Sequence, residues 1–454
     1  MSQPCESAQL LQQPVRSLFF RYFRSNLVSS LMLAVYVLFD TIFIGWGIGS
    51  QGLAALNITL PCYSLEIGFA QMMGMGGATA LSICRGKGEE KEGNRYFTVA
   101  VCTVVVVSTI VGILGGIFWR PIAVLGGADP SIVELVGDYL RILNGGAVLF
   151  VVNNFLGVFV RNDGDPQRVM AAGIISCLFN ILLDYVCIFL LDWGMAGAAG
   201  ATAFSGFISI LIMLTHFKSK SCRLHLCFSD WKLFSRLKRI CQNGVSSLIA
   251  ECSAGLIILL FNIQLMNKGS VTAVTCYSII SNIAYLFLAV YNGASATLQP
   301  LCSVNLGAGC YQRVRQFFHL GVKTALVASG LFVLVGELLP RVIVGIFTEP
   351  TPQVVSMAVY AIRIYFIAYL PMGINIITST FHQSLESFRE ATLISLARGL
   401  IFLVPALFLL GEVFGVNGIW ATVPVCEGLT LLLSVLLLRR LFAARFPEES
   451  SSAL

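Results

Sequence analysis

The stretch Leu178-Phe179-Asn180-Ile181-Leu182-Leu183-Asp184-Tyr185 lies inside a run from about Arg168 to Leu191 that is otherwise almost wholly apolar. Asn180 and Asp184 are four apart, so a helix stacks both on one face, one turn above the other. A carboxylate at membrane depth costs roughly 2.5–3.5 kcal/mol or more on insertion scales. Leucine would fill that slot without cost, so the aspartate marks a function.

Outward from this helix, the chain has the composition of a polytopic membrane protein. Of 454 residues, 57% are hydrophobic and only 11% are charged. Mean hydropathy is +0.83, and apolar stretches of about 20 residues recur. No soluble domain of useful size fits between them. The first apolar run, from about Asn26 to Gly45, is too long for a secretory signal and has no small-residue cleavage site. The 14 cysteines, among them Cys84, Cys102, Cys177, Cys187, Cys252 and Cys276, fall mostly in apolar helices and read as small hydrophobes, not as a disulfide framework. The net charge of +6 does not point to nucleic acid, because the excess lies on one side of the membrane. The sequence has no phosphate loop, nucleophile elbow or ATP-binding domain. The chain therefore reads as a transporter driven by an ion gradient, not as an enzyme.

Hydropathy predicts an all-α fold with twelve transmembrane helices, at about 26–46, 53–83, 97–119, 137–160, 169–191, 195–216, 240–265, 272–303, 318–345, 356–382, 391–411 and 416–438. Several are longer than a bilayer requires and must tilt, kink or protrude. Both termini then share one side. That side holds Arg16, Arg21, Arg24, Arg85, Lys87, Lys91, Arg95, Arg161, Arg168, the run from Lys218 to Arg239, Arg313, Arg315, Lys323, Arg389, Arg398, Arg439, Arg440 and Arg445. Arg120, Arg141, Lys268, Arg341 and Arg363 lie opposite, which divides the 29 basic residues 24 to 5. The positive-inside rule puts both termini in the cytoplasm of a multi-pass cell (inner) membrane protein.

The chain also repeats. Asp129-Pro130 precedes a span carrying Arg141, and Glu349-Pro350 precedes one carrying Arg363. Gly74 and Gly88 match Gly293 and Gly307, each 219 apart, and Gly194-Met195-Ala196-Gly197 matches Gly415-Val416-Asn417-Gly418. Two six-helix bundles in the same orientation follow, with a substrate route between them. The expected division is an amino-terminal lobe over 1–215, a basic linker over 216–239 and a carboxy-terminal lobe over 240–454. The linker reads as a solvated loop, or else as a seat for an anionic lipid headgroup. Under the repeat, Asn180 and Asp184 face Phe402 and Ala406, and Asp40 faces an apolar position near Leu259. Buried polar groups are therefore expected in the first bundle alone.

Asp40 lies mid-span in Val35-Tyr36-Val37-Leu38-Phe39-Asp40-Thr41. Two buried carboxylates in one bundle cannot both stay ionised unpartnered, so Asp40 and Asp184 share a proton or a cation. A sodium ion would draw on Asp40, Asp184, the Asn180 carbonyl and the Thr202 hydroxyl; the bland alternative is a hydrogen-bonded pair that only fixes packing. Glu251 is the oddity of the second half, either a secondary protonation site or a capped carboxyl. Glu66 and Glu427 read as packing or cavity-lining groups. Tyr139, Arg141, Asn153 and Asn154 polarise the fourth span, and the asparagines either face a cavity or bridge helices. Tyr36, Phe39, Tyr63, Phe155, Phe159, Tyr277 and Tyr291 offer aromatic walls to a flat cation, or else core packing. Pro61, Pro300, Pro371, Pro405 and the cluster Gly74-Met75-Gly76-Gly77 are hinge candidates. His225 with Cys222 and Cys227 does not have zinc spacing.

These residues resemble those of the multidrug and toxic compound extrusion (MATE) family. The likeness rests on Asp40-Thr41-Ile42-Phe43-Ile44-Gly45, then Gly52-Leu53-Ala54-Ala55-Leu56 and Pro61, then Arg161-Asn162-Asp163-Gly164-Asp165-Pro166. It continues through Asn180-Ile181-Leu182-Leu183-Asp184 and Gly197-Ala198-Ala199-Gly200-Ala201-Thr202 to Gln299-Pro300-Leu301, Asn305-Leu306-Gly307-Ala308 and Arg313-Val314-Arg315. It covers about residues 20–440. The resemblance implies a V-shaped, twelve-helix antiporter exchanging H⁺ or Na⁺ for organic cations, and a monomer suffices for that fold. Asp40, Asn180, Asp184 and Thr202 match the amino-terminal-lobe cation or proton site of the prokaryotic DinF-like branch, with Tyr139 and Asn154 beside it. Glu251 matches the seventh-helix acid of the NorM-like branch. That branch's tenth-helix aspartate is missing where this chain reads Tyr369-Leu370-Pro371-Met372, and Phe381-His382-Gln383-Ser384-Leu385-Glu386 is less typical than its first-half partner. A flippase for lipid-linked precursors would want a more cationic cavity. An intramembrane aspartyl protease would want a Gly-x-Gly-Asp-like context that Asp184 lacks.

Overall fold

The computed structural model describes residues 11–228, 232–347 and 352–445. The first half folds into α1 (Val15–Gly47), α2 (Ser50–Gly86), α3 (Glu90–Ile117), a short α4 (Trp119–Leu125), α5 (Val133–Gly145), α6 (Ala147–Asn162), α7 (Pro166–Tyr185) and α8 (Gly194–Leu214). The second half repeats it with α9 (Leu233–Lys268), α10 (Val271–Gly307), α11 (Tyr311–Leu338), a short α12 (Pro340–Phe347), α13 (Pro352–Phe366), α14 (Tyr369–Ser384), α15 (Phe388–Leu396), α16 (Leu403–Phe414) and α17 (Val416–Arg445). A π-turn, Val186–Leu190, follows α7, and another, Ala397–Ile401, joins α15 to α16.

Ten spans are single helices or helices continued through such a turn, and two bent pairs complete the expected twelve: α5–α6 by 53° and α13–α14 by 42°. Gly145-Gly146 stands at the first break, where two residues without Cβ remove the penalty for leaving the helix. Pro61 and Pro300 lie inside α2 and α10 as expected of hinges. Pro371 and Pro405 instead occupy the first turns of α14 and α16, where a missing N–H costs nothing.

The repeat is real; Gly194 and Gly415, 415 − 194 or 221 apart, both take left-handed φ as paired, but the 219 expected for Gly74 and Gly88 is two residues short. Helix α2 ends at Gly86 and α10 at Gly307, 221 apart. Gly88 and Gly309 then share a left-handed turn, with φ +82° and +72°. From α8 to α17 the offset is 416 − 194, or 222. The basic linker is also not a free loop. Its Arg223 pairs with Glu90, its Cys227 N–H donates to Thr98 Oγ1 at 2.8 Å, and Leu224 is fully covered, so the segment lies along α3.

Each half has its own apolar core. Two helices break the division: Leu18, Phe19 and Tyr22 at the start of α1 pack in the core of the second lobe, while Asp40 and Ile44 further along lie buried in the first, and Ile240 near the start of α9 packs in the core of the first lobe. With 33 residues, α1 spans about 50 Å and is rooted in both halves.

The lobes meet where α2 crosses α9 and α1 crosses α10. A Cβ on Gly76 would overlap the Ile240 carbonyl, one on Gly244 the Met72 carbonyl, and Gly86 and Gly307 exclude side chains from each other. This is the close backbone approach that small residues allow between membrane helices. The polar contacts across the seam gather toward the basic end: Asn26 Nδ2 donates to Thr297 Oγ1 at 2.9 Å, Asn162 Nδ2 to Gln299 Oε1 at 2.8 Å, Gln299 Nε2 to Thr79 Oγ1 at 3.1 Å, and Arg239 Nη1 to Tyr96 Oη at 2.8 Å. At the other end Trp46, Leu125 and Leu338 stand exposed. The lobes close at the basic end and part at the other, which gives a V.

The seam yields a test. Gly244→Ala overpacks it and should cost about 1–3 kcal/mol, read as a lower unfolding temperature of the purified protein. Gly116→Ala, where the Cβ meets open space, should leave that temperature unchanged.

Candidate functional site

Helix α1 brings Asp40, α7 brings Asn180 and Asp184, and α8 brings Thr202 into one buried cluster of the first lobe. Asp40 is 7% exposed, Thr202 4%, and Asn180 and Asp184 not at all. Asn180 Nδ2 donates to Thr202 Oγ1 at 3.4 Å. Asp40 Oδ1, Asn180 Oδ1 and both Asp184 carboxyl oxygens are buried with no hydrogen-bond partner, and the two carboxyls lie close enough for their charges to repel. Four orphaned oxygens converging from two helices suit a proton shared by the carboxyls or a sodium ion. The residues present therefore fit either occupant. The π-turn Val186–Leu190 begins two residues after Asp184.

Tyrosines line the cluster. Tyr139, on α5, is within electrostatic reach of Asp40, Asp184 and Glu66. Tyr36 and Tyr63 hydrogen-bond each other beside Asp40. Asn154 Nδ2 is spent on the Phe150 carbonyl of its own helix at 3.0 Å, and Asn153 is half-buried. Tyr277 does not line a cavity. It is buried in the core of the second lobe, stacked on Phe261 at 4.9 Å. Arg141 is likewise absent from the cluster: at the rim it pairs with Glu134 and Asp138 and lies over the Trp119 ring.

The expectation that only the first bundle buries polar groups is overturned. Arg398, counted from sequence with the basic end, sits in the π-turn between α15 and α16 and binds Glu427 of α17, Nη2 to Oε1 at 2.8 Å and Nε to Oε1 at 3.0 Å. Asn375 Nδ2 donates to Glu427 Oε2 at 2.7 Å and its Oδ1 accepts from Ser434 at 2.9 Å. The 222 offset places Arg398 and Glu427 over Ser176 and Ser205, which also touch, Ser176 Oγ donating to the Ser205 carbonyl at 2.9 Å. The equivalent positions thus carry an ion pair in one lobe and a hydroxyl-to-carbonyl hydrogen bond in the other. Nothing in local hydropathy links Arg398 to a partner on another helix, which is why its side was misread.

Glu251, the second-half candidate, is not part of the first-lobe cluster. It faces Gly68 of α2 across the lobe seam, near Tyr63 and Tyr285.

At the basic end the turn Asp163-Gly164-Asp165 is pinned. Gly164 takes φ +100°. Arg85 Nη1 meets Asp163 Oδ1 at 2.6 Å, His216 Nε2 meets Asp163 Oδ2 at 2.6 Å, and His216 Nδ1 faces Asp165 Oδ2 at 3.2 Å. Against the cost of burial, His216 and Arg85 hold the Asp163 carboxyl below the ordinary carboxylate range. His216 and Arg168 similarly hold Asp165 at about 2. The metal look-alike of the sequence does not assemble as written: among the described residues the converging donors are Asp163, His216 and Cys222, not His225 or Cys227. Both Asp163 oxygens already face protein donors, so the group works as a fastening of the α6–α7 turn to the linker.

The second-lobe ion pair is testable. Removing one partner of a buried pair costs about 3–5 kcal/mol, and removing both often costs little. Arg398→Met should lower the unfolding temperature sharply, and Arg398→Met with Glu427→Gln should restore most of it.

A family model described as MatE matches residues 27–186 and 246–408. Multidrug export protein MepA of Staphylococcus saprophyticus is 23% identical over 412 residues, 90% of each chain. MepA of Staphylococcus aureus strain NCTC 8325 is 23% identical over 434 residues, 94% of each. Among solved structures, a MATE crystal structure in the straight conformation superposes with TM-score 0.90 at 20% identity, over 98% of this chain and 99% of that one. An outward-facing multidrug resistance MATE family transporter superposes with TM-score 0.88 at 21% identity, over 98% and 99%.

Proposed function

The chain belongs to the MatE family, and from that premise we propose that it is an efflux antiporter, exporting organic cations in exchange for H⁺ or Na⁺. The observation that carries this reading is the unpaired state of Asp40 and Asp184. The second lobe buries Glu427 with an arginine; in the first, Asp40 and Asp184 lie together with no basic partner among the described residues, so their charge is left for a mobile cation. That relatives at 23% identity are named multidrug export proteins supports the direction and the cargo class.

The linkage follows from α1. When a proton or sodium ion neutralises the Asp40–Asp184 pair, the repulsion between the carboxyls ends and α1 packs more closely on α7. A cationic cargo in the first lobe loses its counter-charge at the same moment. Because the first turns of α1 sit in the other lobe, a shift at Asp40 is transmitted across the seam, and the face to which the V opens changes with it. The V closed at the basic end is the state that releases cargo. The basic excess, now 24 − 1 = 23 residues with Arg398 in the interior against 5 opposite, supports cytoplasmic termini in the cell membrane. One copy holds the whole cluster, so a monomer is sufficient. A flippase for lipid-linked precursors would need a free cation for pyrophosphate, and Arg398 is already occupied by Glu427.

Proteoliposomes with an imposed pH or Na⁺ gradient and a fluorescent organic cation test this. Asp40→Asn and Asp184→Asn should each reduce gradient-driven transport to the level of empty liposomes, while the purified variants still elute as folded protein. Transport surviving in either variant refutes the mechanism, and the gradient that drives the wild type identifies the ion.

A further inference from the structure

Glu386 stands where the backbone asks for glycine. At the end of α14 the Glu386 N–H donates to the Gln383 carbonyl at 3.1 Å and the Ser387 N–H to the His382 carbonyl at 2.9 Å. This puts Glu386 at the left-handed position of a Schellman cap, with φ +57°. The end of α6 is built the same way. The Gly164 N–H donates to the Arg161 carbonyl at 3.3 Å, the Asp165 N–H to the Val160 carbonyl at 3.2 Å, and Gly164 takes φ +100°. The two positions are 386 − 164, or 222, apart, the offset of the repeat. A β-carbon is penalised at such a cap and glycine has none, so what Glu386 contributes is its side chain.

That side chain crosses between the lobe cores. Arg239 Nε donates to Glu386 Oε1 and Arg239 Nη2 to Oε2, both at 2.8 Å, and Asn243 Nδ2 donates to Oε1 at 2.9 Å. Behind them the buried Gln383 Nε2 donates to the Asn243 carbonyl at 2.9 Å and to Ser247 Oγ at 2.8 Å. The start of α9, which carries Arg239, is fastened to the first lobe. Ile240 lies in that lobe's core, Arg236 Nε donates to Glu92 Oε1 at 2.9 Å, and Arg239 Nη1 donates to Tyr96 Oη at 2.8 Å. The turn that carries Glu386 belongs to the second lobe, with Phe381 and Leu385 in its core and the Leu385 carbonyl accepting from Arg445 Nη1 at 2.5 Å. We propose that Glu386 and Arg239 form a latch that holds the lobes shut at the basic end and must release for the V to open on that side. The paired side chains are 34% and 24% exposed, so water takes over their charges as they part, which a fully buried pair would not allow.

Cys84 of α2 is a native reporter. It is 3% exposed and within electrostatic reach of Arg239, Glu92 and Glu386. Cys302, fully buried in the core of the second lobe, is the control for unfolding. Alkylation of the full-length protein in nanodiscs with N-ethylmaleimide, followed by peptide mass spectrometry, gives the rate at each thiol. In Glu386→Gly the cap gains its preferred residue and the latch is lost. Cys84 should then react about tenfold faster than in the wild type, the order expected on losing a charge-assisted hydrogen-bond pair, while Cys302 stays inert. Arg239→Gln should do the same, and the double variant should react no faster than either single one, because both remove one contact. If Glu386 serves only the turn, glycine improves the turn and Cys84 stays slow. That result overturns the proposal, as do single effects that multiply in the double variant. If Cys302 also reacts in Glu386→Gly, then Glu386→Gln, which keeps the size of the side chain, decides: faster reaction at Cys84 alone supports the latch, and an unchanged rate refutes it. No ion gradient or cargo enters the measurement, so its outcome is independent of whether Asp40 and Asp184 couple transport.

Discussion

A carboxyl placed in a medium that cannot solvate its charge has to be neutralised by something. The fold answers this requirement in two ways. In the second lobe the neutralising group is part of the protein: Arg398 grips Glu427, Asn375 and Ser434 satisfy the remaining valences, and the arrangement is complete. In the first lobe, on the antiport reading proposed above, the group that neutralises Asp40 and Asp184 comes from outside. Asp40 and Asp184 have no arginine, and three of their oxygens have no partner. The two lobes share a backbone plan and differ in whether charge balance is built in or borrowed.

Charge alone would not move two lobes; the proposed coupling relies on α1, which is continuous for 33 residues with its start in one core and its acid in the other. The sequence suggests a tidy division at the linker, and the packing of Leu18, Phe19 and Tyr22 shows why a hydropathy trace cannot see the exception. Those side chains are apolar whichever lobe receives them. The decision is made by tertiary contact with residues some 280 positions away, such as Leu298 and Leu301.

The same limit explains what was legible in the residues and what was not. Twelve spans, two halves in parallel and the grouping of Asp40, Asn180, Asp184 and Thr202 can be read because they depend on local hydropathy and on i, i+4 spacing. Arg398 was placed at a helix end because a lone arginine is expensive inside a membrane, and its expense is cancelled by a glutamate 29 residues later on another helix. Tyr277 looked like a cavity wall because an aromatic ring has the same hydropathy in a core as at a pore. The pairing of Gly74 and Gly88 with Gly293 and Gly307 is two residues out of register because those glycines are matched by type, whereas the structure aligns helix ends and left-handed turns.

The joint between the lobes has a mechanical consequence. Gly76 lies on the Ile240 carbonyl, Gly244 on that of Met72, and Gly86 on Gly307. The glycine contacts themselves resist being pushed together, since backbone meets backbone, and resistance to being pulled apart rests instead on the hydrogen bonds of Asn26, Asn162, Gln299 and Arg239 across the seam. A joint that is stiff in compression and held in tension by those bonds can define one closed geometry sharply and still release at modest cost. Small side chains at a crossing therefore set how quickly a machine of this kind can cycle, as well as how tightly it shuts.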